Sequence, residues 1–521
     1  MDQDKALAVP HVNPWIIAVA VMLSTFMEVL DTTVVNVSLP HIAGSLSATV
    51  DEATWTLTSY LVSNAIILPL TGWLGNYFGR KRLLMMSVAG FTTASFLCGL
   101  APNLSSLIIF RIIQGACGGG LQPISQAVLL ESFAPQDRGK AMGFWGLGIV
   151  VAPMLGPVLG GWLTDSYSWR WVFYINIPVG VASLIMTQLF VFDPPYIRRT
   201  SERVDYWGIG MLAVGIGSLQ VMLDKGQEKD WFGTHWITVL MVVAIGSLTA
   251  FVIYELHASD PVVNLRIFKI RTYSTGVFMM AILGAGLYGS TVLIPLVLQT
   301  LLGYPALQAG IAMVPRGLGS FIAMPVVGII MVRFDSRKLL ALGMSVAAFT
   351  LFQLSWLNLH AGYWDFFWPQ LLMGLSLGFL FVPLTTITMD PIPKETMGNA
   401  TSLFNLVRNL GGSIGIAAVE TIQVRREQMH INVLGSHVNA YNRQSQTLLN
   451  GLRAAFMAGG ANLSTATHWA YAAVWGMVEQ QARMMSYNDA FRLLAIMFFC
   501  MLPLIFLMKK PSGSGERMAA H

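Results

Sequence analysis

Charge is scarce in this chain. Asp, Glu, Lys and Arg make up 11% of its 521 residues, against about 25% in a soluble globular domain, which excludes a fold surrounded by water. Cysteine is scarcer still. Cys98, Cys117 and Cys500 each fall inside an apolar stretch; they form neither a disulfide framework nor a zinc spacing and read as small core residues. The nine histidines lie in loops, at termini or near the ends of apolar runs, without a metal-holding cluster, and no Walker loop is present. An embedded enzyme and direct use of ATP are therefore disfavoured, and neither a metal, a cofactor nor a nucleic-acid partner is expected. The opening MDQDKALAVPHVNPW is polar and lacks the short apolar core and cleavage site expected of a signal peptide.

What the chain has in abundance is oil. It is 55% hydrophobic with a mean hydropathy of +0.61. A membrane crossing takes roughly 20 apolar residues. Runs of that kind lie near 14–36, 53–73, 83–101, 106–130, 140–163, 170–192, 205–224, 235–256, 273–300, 306–330, 339–357, 365–388, 398–423 and 488–508. These predict an all-α polytopic membrane protein with fourteen transmembrane helices. An even number puts both termini on one side. Arg80–Lys81–Arg82, Arg138, Lys140, Arg198, Arg199, Arg203, Arg266, Lys269, Arg271, Arg333, Arg337, Lys338, Lys394, Lys509, Lys510 and Arg517 all fall on that side. The positive-inside pattern makes it the cytoplasm. Trp15, Trp55, Trp162, Trp231, Trp236 and Trp364 sit near span ends, as in an aromatic belt. Segment 424–487 is long and polar, and its best apolar run, Trp469–Val478, is too short to cross. It reads as an extracytoplasmic loop with one or two amphipathic helices, either a solvated insertion or a docking surface.

Gly72-Trp-Leu-Gly-Asn-Tyr-Phe-Gly-Arg-Lys-Arg82 after the second span aligns without gaps with Gly328-Ile-Ile-Met-Val-Arg-Phe-Asp-Ser-Arg-Lys338 after the tenth. The repeat implies two related six-helix bundles, residues 1–204 and 257–521, with an inserted helix pair at 205–256. Such repeats are typical of transporters, whose site lies between the halves near the midplane.

Within the first span, Leu30–Pro40 (LDTTVVNVSLP) carries Asp31, with Glu28 one turn before it. A carboxylate at bilayer depth costs several kcal/mol and marks a cavity, a partner or a proton. Arg111, inside the fourth span, keeps its charge in any protein environment and needs an acid; Asp31 or Glu28 is the candidate, with Gln114 one turn along from Arg111. One reading is a proton-titrated transport site in which Asp31, or Glu28, gains and loses a proton; the other is a permanent Arg–Asp strut. Glu420, three turns from Arg408, is either a second proton or cation site or an interfacial acid. Arg316 and Asp390 read as structural. Asn36 and Gln114 are candidates for a polar cavity, and Met279, Met280, Phe278, Tyr288 and Phe321 for a soft apolar one. Gly72, Gly75 and Gly79 suit a tight turn, and Arg80 with its neighbours suits topology, lipid headgroups or acidic helix ends. Gly148, Ala152, Gly156 and Gly160 repeat every four residues and give a smooth helix face, bent by Pro153 and Pro157. That face suits a moving seam between the bundles.

Five motifs in order resemble the major facilitator superfamily, and among its members the fourteen-span drug:proton antiporters. They are Leu30–Pro40, Gly72–Arg82, Arg111-Ile-Ile-Gln114-Gly115, Ala152-Pro153-Met-Leu-Gly156-Pro157-Val-Leu-Gly160-Gly161, and Trp169-Arg170-Trp171-Val-Phe-Tyr-Ile-Asn176-Ile-Pro178-Val-Gly180. The resemblance implies a pump of the bacterial inner membrane that exports lipophilic small molecules against protons, powered by the proton gradient. It also implies a periplasmic adaptor and an outer-membrane channel as partners, through the long loop before the last span. A facilitator or importer of one small solute on the same fold is the alternative. Where the loop motif usually carries an aspartate, this chain has Asn76, which puts an ion-pair latch at that position in doubt.

Overall fold

In hydrocarbon every backbone N–H and C=O must find its partner within the protein, so long apolar runs fold as helices. The computed structural model describes residues 13–193, 205–258 and 261–508, and no strand occurs among them. Arg198, Arg199, Arg203, Lys509, Lys510 and Arg517 lie outside the described residues.

The helices are α1 (Pro14–Ser45), α2 (Val50–Phe78), α3 (Arg80–Leu100), α4 (Leu104–Gly118), α5 (Leu121–Ser132), α6 (Arg138–Ser166), α7 (Trp171–Tyr174), α8 (Asn176–Phe190), α9 (Tyr206–Lys225), α10 (His235–His257), α11 (Arg271–Leu296), α12 (Ala306–Ile330), α13 (Ser336–Leu354), α14 (Tyr363–Met389), α15 (Met397–Ser436), α16 (Arg443–Ala458) and α17 (Leu463–Met501). Helices α4 and α5 run on as one crossing, as do α7 and α8. Thirteen helices among the described residues are long and apolar enough to cross a membrane, and the chain is a multi-pass membrane protein. The expected thirteenth span, α15, is long enough, but Asn399, Asn405, Arg408 and Asn409 dilute its apolar content. It packs among the others nonetheless, against α11, α17 and α2.

Helix α1 packs on α6, α8 and α5, and α2 and α3 pack on α4. In the second half, α12 and α13 pack on α14, and α11 on α15. The inserted pair α9–α10 lies outside, with α9 against α2 and α15. The halves meet along two seams, α6 with α12 and α2 with α15. Each seam is closest at the end that carries the basic loops. A Cβ on Gly72 would lie 2.7 Å from Asn399 Cα, one on Gly328 2.8 Å from the Gly139 carbonyl, and one on Gly143 2.5 Å from the Met324 carbonyl. The leading glycines of the two repeated motifs thus seal opposite edges of the same end, each against a helix of the other half. Only Gly79, at φ 88°, forms the expected turn; Gly72 and Gly75 lie within α2.

Two sequence expectations are corrected here. The stripe Gly148–Gly156–Gly160 does not face the other half. It packs on α1, where added Cβ atoms would meet Met22, Thr33 and Val34; Ala152 is buried on the same side of the helix. The smooth face therefore binds α1 to α6 within one half, and Gly139 and Gly143 form the seam. Segment 424–487 is also not a loop carrying separate helices. Its ends are straight continuations of α15 and α17, and only α16 is a separate amphipathic helix. At 1.5 Å per residue the 40 residues of α15 reach about 60 Å, twice the hydrocarbon thickness. The projecting hairpin has its own small core of Leu449, Ala470 and Val474, fastened by Arg483–Glu427 at 3.0 Å and His430–Asp489 at 2.9 Å.

Candidate functional site

Helix α1 presents both acids to the protein interior, but to different surroundings. Asp31 is wholly buried and saturated. Arg111 Nη1 donates to Oδ2 at 2.5 Å, Gln114 Nε2 to Oδ1 at 3.0 Å, and Asn176 Nδ2 to Oδ1 at 2.7 Å. Arg111 is held in turn by the Thr56 carbonyl (3.1 Å), by Gln114 Oε1 (2.7 Å) and by the face of Tyr60, 4.1 Å away. Asn176 also donates to Ser95 Oγ at 3.0 Å. Five helices, α1, α2, α3, α4 and α8, are tied to one ion pair. Such hydrogen bonds offset part of what a buried pair loses on leaving water.

Glu28, 4% exposed, is held loosely. Its Oε1 accepts from Asn64 Nδ2 at 2.9 Å, while Oε2 makes no hydrogen bond. Gln122 and Arg408 stand beside the carboxyl. Arg408 comes from α15 in the other half and donates from Nη2 to Gln122 Oε1. Next to this link, Asn405 Nδ2 donates to Gln126 Oε1 at 2.6 Å and Thr401 Oγ1 to the Pro123 carbonyl at 3.1 Å. Glu28 therefore sits where the halves meet, and Asp31 sits inside one half. Sequence reasoning named Arg111 and Gln114. It missed Asn64 and Gln122, polar residues within apolar runs that carried a signal, and it assigned no role to Asn176.

Arg408, together with Ile149, Val150, Leu283, Leu287, Tyr288, Met324, Leu377 and Phe381, lines a small apolar cavity between the halves. Of the expected soft cavity only Tyr288 is there. Met279 and Met280 are core residues, and Phe278 and Phe321 are exposed on the outside of the bundle at 57% and 56%. Asn36 is exposed on α1 and does not join the polar group. Glu420 is half-buried and lies near Asp224 and Glu228 at the end of α9, apart from the Glu28 cluster. Pro153 and Pro157 lie half-buried within α6.

At the basic end Arg80 pairs with the buried Glu131 of α5. A charged link thus forms one turn beyond Asn76, with the acid supplied by another helix. Lys81 N donates to Asp193 Oδ1 at 2.8 Å and its Nζ to the Gln188 carbonyl at 2.6 Å, tying this turn to the end of α8. Two Gly-x-Ser-x-Gly strings, Gly374–Gly378 and Gly411–Gly415, lie inside α14 and α15. Neither is a strand-to-helix elbow; their glycines let α12 and α11 approach.

A family model described as Major Facilitator Superfamily matches residues 21–416. The chain is 38% identical over 500 residues to the multidrug export protein EmrB of Haemophilus influenzae, covering 96% of each chain. It is 37% identical over 496 residues to the fatty acid resistance protein FarB of Neisseria gonorrhoeae, covering 95% of this chain and 96% of the other. The crystal structure of the human organic anion transporter MFSD10 shares the fold, with a TM-score of 0.60 over 94% of this chain and 100% of that one, at 13% identity.

Proposed function

The chain belongs to the major facilitator superfamily and is a transporter, and from that premise we propose that it exports lipophilic drugs or toxic compounds across the bacterial inner membrane in exchange for protons. Residues 1–204 and 257–521 rock against each other, with 205–256 riding outside, so that one central site opens to each side in turn. The positive-inside pattern places the basic end, and with it both termini, in the cytoplasm. The described arrangement then has its cytoplasmic gate shut.

One observation carries the coupling. Glu28 is a buried acid whose second oxygen lies outside the Asn64 bond, beside the Arg408–Gln122 link that joins the halves. A carboxyl in such a place suits a proton carrier, because the cation beside it belongs to the other half and the contact changes as the halves move. We assign the proton to Glu28 and give Asp31–Arg111 the part of a strut that keeps the first half rigid while it moves.

Relatives of similar length carry names of multidrug export and fatty acid resistance, which supports export of lipophilic compounds over uptake of one nutrient. Everted membrane vesicles decide the direction. An inward-acidic gradient drives lipophilic dye into vesicles that contain the protein, and collapsing the gradient stops it. Dye movement the other way means an importer.

The hairpin of α15, α16 and α17 is the surface for a periplasmic adaptor, which continues to an outer-membrane channel. Leu463, Trp469, Tyr471, Trp475 and Met477 are exposed along it. Shortening the hairpin lowers recovery of the adaptor with the purified transporter at least several-fold and leaves dye binding unchanged. Full recovery of the adaptor removes this assignment.

A further inference from the structure

Arg316 is the second arginine buried in the second half, and nothing in the proton step uses it. It lies on α12, 5% exposed, ten residues into a 25-residue helix, near the middle of the membrane. Its Nη2 donates to Ser290 Oγ at 3.1 Å and to the Leu287 carbonyl at 3.4 Å, both on α11. Its Nη1 has no partner, and among the described residues it makes no salt bridge, unlike Arg111. A guanidinium cannot discharge itself by losing a proton, and an unpaired charge at this depth is costly. Fully buried Gln370 on α14 also has both side-chain polar atoms unpartnered. It lies one turn before Gly374, the residue at which α14 touches Arg316, since a Cβ there would meet the Arg316 carbonyl. Leu287, whose carbonyl faces the guanidinium, also lines the apolar cavity between the halves. A buried cation with a spare donor thus lies behind Leu287, one residue removed from the cavity that Arg408 lines, without an acid of its own.

We propose that Arg316 is a specificity-determining residue that holds the carboxylate of an amphipathic anion, whose apolar tail runs past Leu287 into the seam when the halves part. The export reading supplies the context. The site itself is an equilibrium property, so it is tested without a gradient and stands or falls apart from pumping. A carboxylate matches the forked guanidinium, and the ligand provides the counter-charge that the protein omits. Glu28 sits on the opposite half with Asn64, so anion binding at Arg316 does not depend on displacing it.

The test uses the full chain in lipid nanodiscs at pH 8, with empty discs as the blank. Three probes share a chain of about ten carbons: decanoate, its methyl ester and decyltrimethylammonium. Wild type binds decanoate about tenfold or more tightly than the ester, the margin of one charge-assisted hydrogen bond. Arg316→Gln removes that margin and leaves decyltrimethylammonium binding unchanged; Arg316→Lys keeps part of it. Equal binding of decanoate and ester by wild type overturns the proposal, as does an unchanged margin in Arg316→Gln. If Arg316→Gln does not yield folded protein, the wild-type margin and its reduction in Arg316→Lys decide the matter. A Lys variant with the full wild-type margin then counts as refutation, because a compact ammonium does not reproduce the fork.

Discussion

Glu28→Gln stops proton-driven export. In everted vesicles the expected rate falls to that of vesicles without the protein, while the variant inserts, purifies and melts like wild type. The physical reason is that Gln is nearly the same shape and still accepts from Asn64 Nδ2, now 2.9 Å from Oε1, but cannot alternate between charged and neutral. The contact to Gln122 and Arg408 at the seam is then frozen in one electrostatic state. A shorter acid, Glu28→Asp, restores some transport because it restores titration at a displaced position. Substrate binding varies with pH in wild type and becomes flat in Glu28→Gln. Driven transport that survives in Glu28→Gln moves the proton elsewhere, and the half-buried Glu420 near Asp224 and Glu228 is then the next acid to test.

The residues of α1 show how far sequence reaches. Glu28 and Asp31 are one turn apart in an apolar run, which is enough to place two acids on neighbouring faces of one helix and to demand a cation. Arg111 and Gln114 are legible for the same reason, because charge and amide in oil are rare. What the spacing does not carry is the partner of each. Asn64 is 36 residues from Glu28, Asn176 is 145 from Asp31, and Arg408 is 286 from Gln122. Those distances close only through the packing of several helices. The two acids look equivalent along the chain, yet one is saturated and the other is not. The α6 glycines make the same point. A four-residue step announces a close approach, but the identity of the approaching helix, α1 and not α12, depends on which way α6 is turned in the bundle. The hairpin before the last span failed in a different way. Its helices are polar enough to resemble a loop when judged by hydropathy, and they are stabilised by pairs such as Arg483–Glu427 and by the small core around Leu449, which an apolarity scan does not register.

Asp31 and Arg111 give the second large effect, and it is an effect on folding. Arg111→Met leaves the Asp31 carboxylate buried with only Gln114 and Asn176 to hold it. Removing one member of a buried ion pair costs about 3–5 kcal/mol, so the purified variant melts well below wild type and little of it reaches the membrane. Asp31→Asn leaves the guanidinium without its counter-charge in the same way, held by the Thr56 carbonyl, Gln114 Oε1 and the Tyr60 ring. The double variant Asp31→Asn/Arg111→Met removes both charges and melts above either single variant, because no unpaired charge is left behind. Transport separates the strut from an engine. In a strut, whatever Asp31→Asn protein folds still couples substrate to protons, and the loss is in amount. If Asp31→Asn instead melts like wild type and is inert, the proton belongs to Asp31. In that case the ring of donors from α4 and α8 must open during the cycle for a proton to reach the carboxylate.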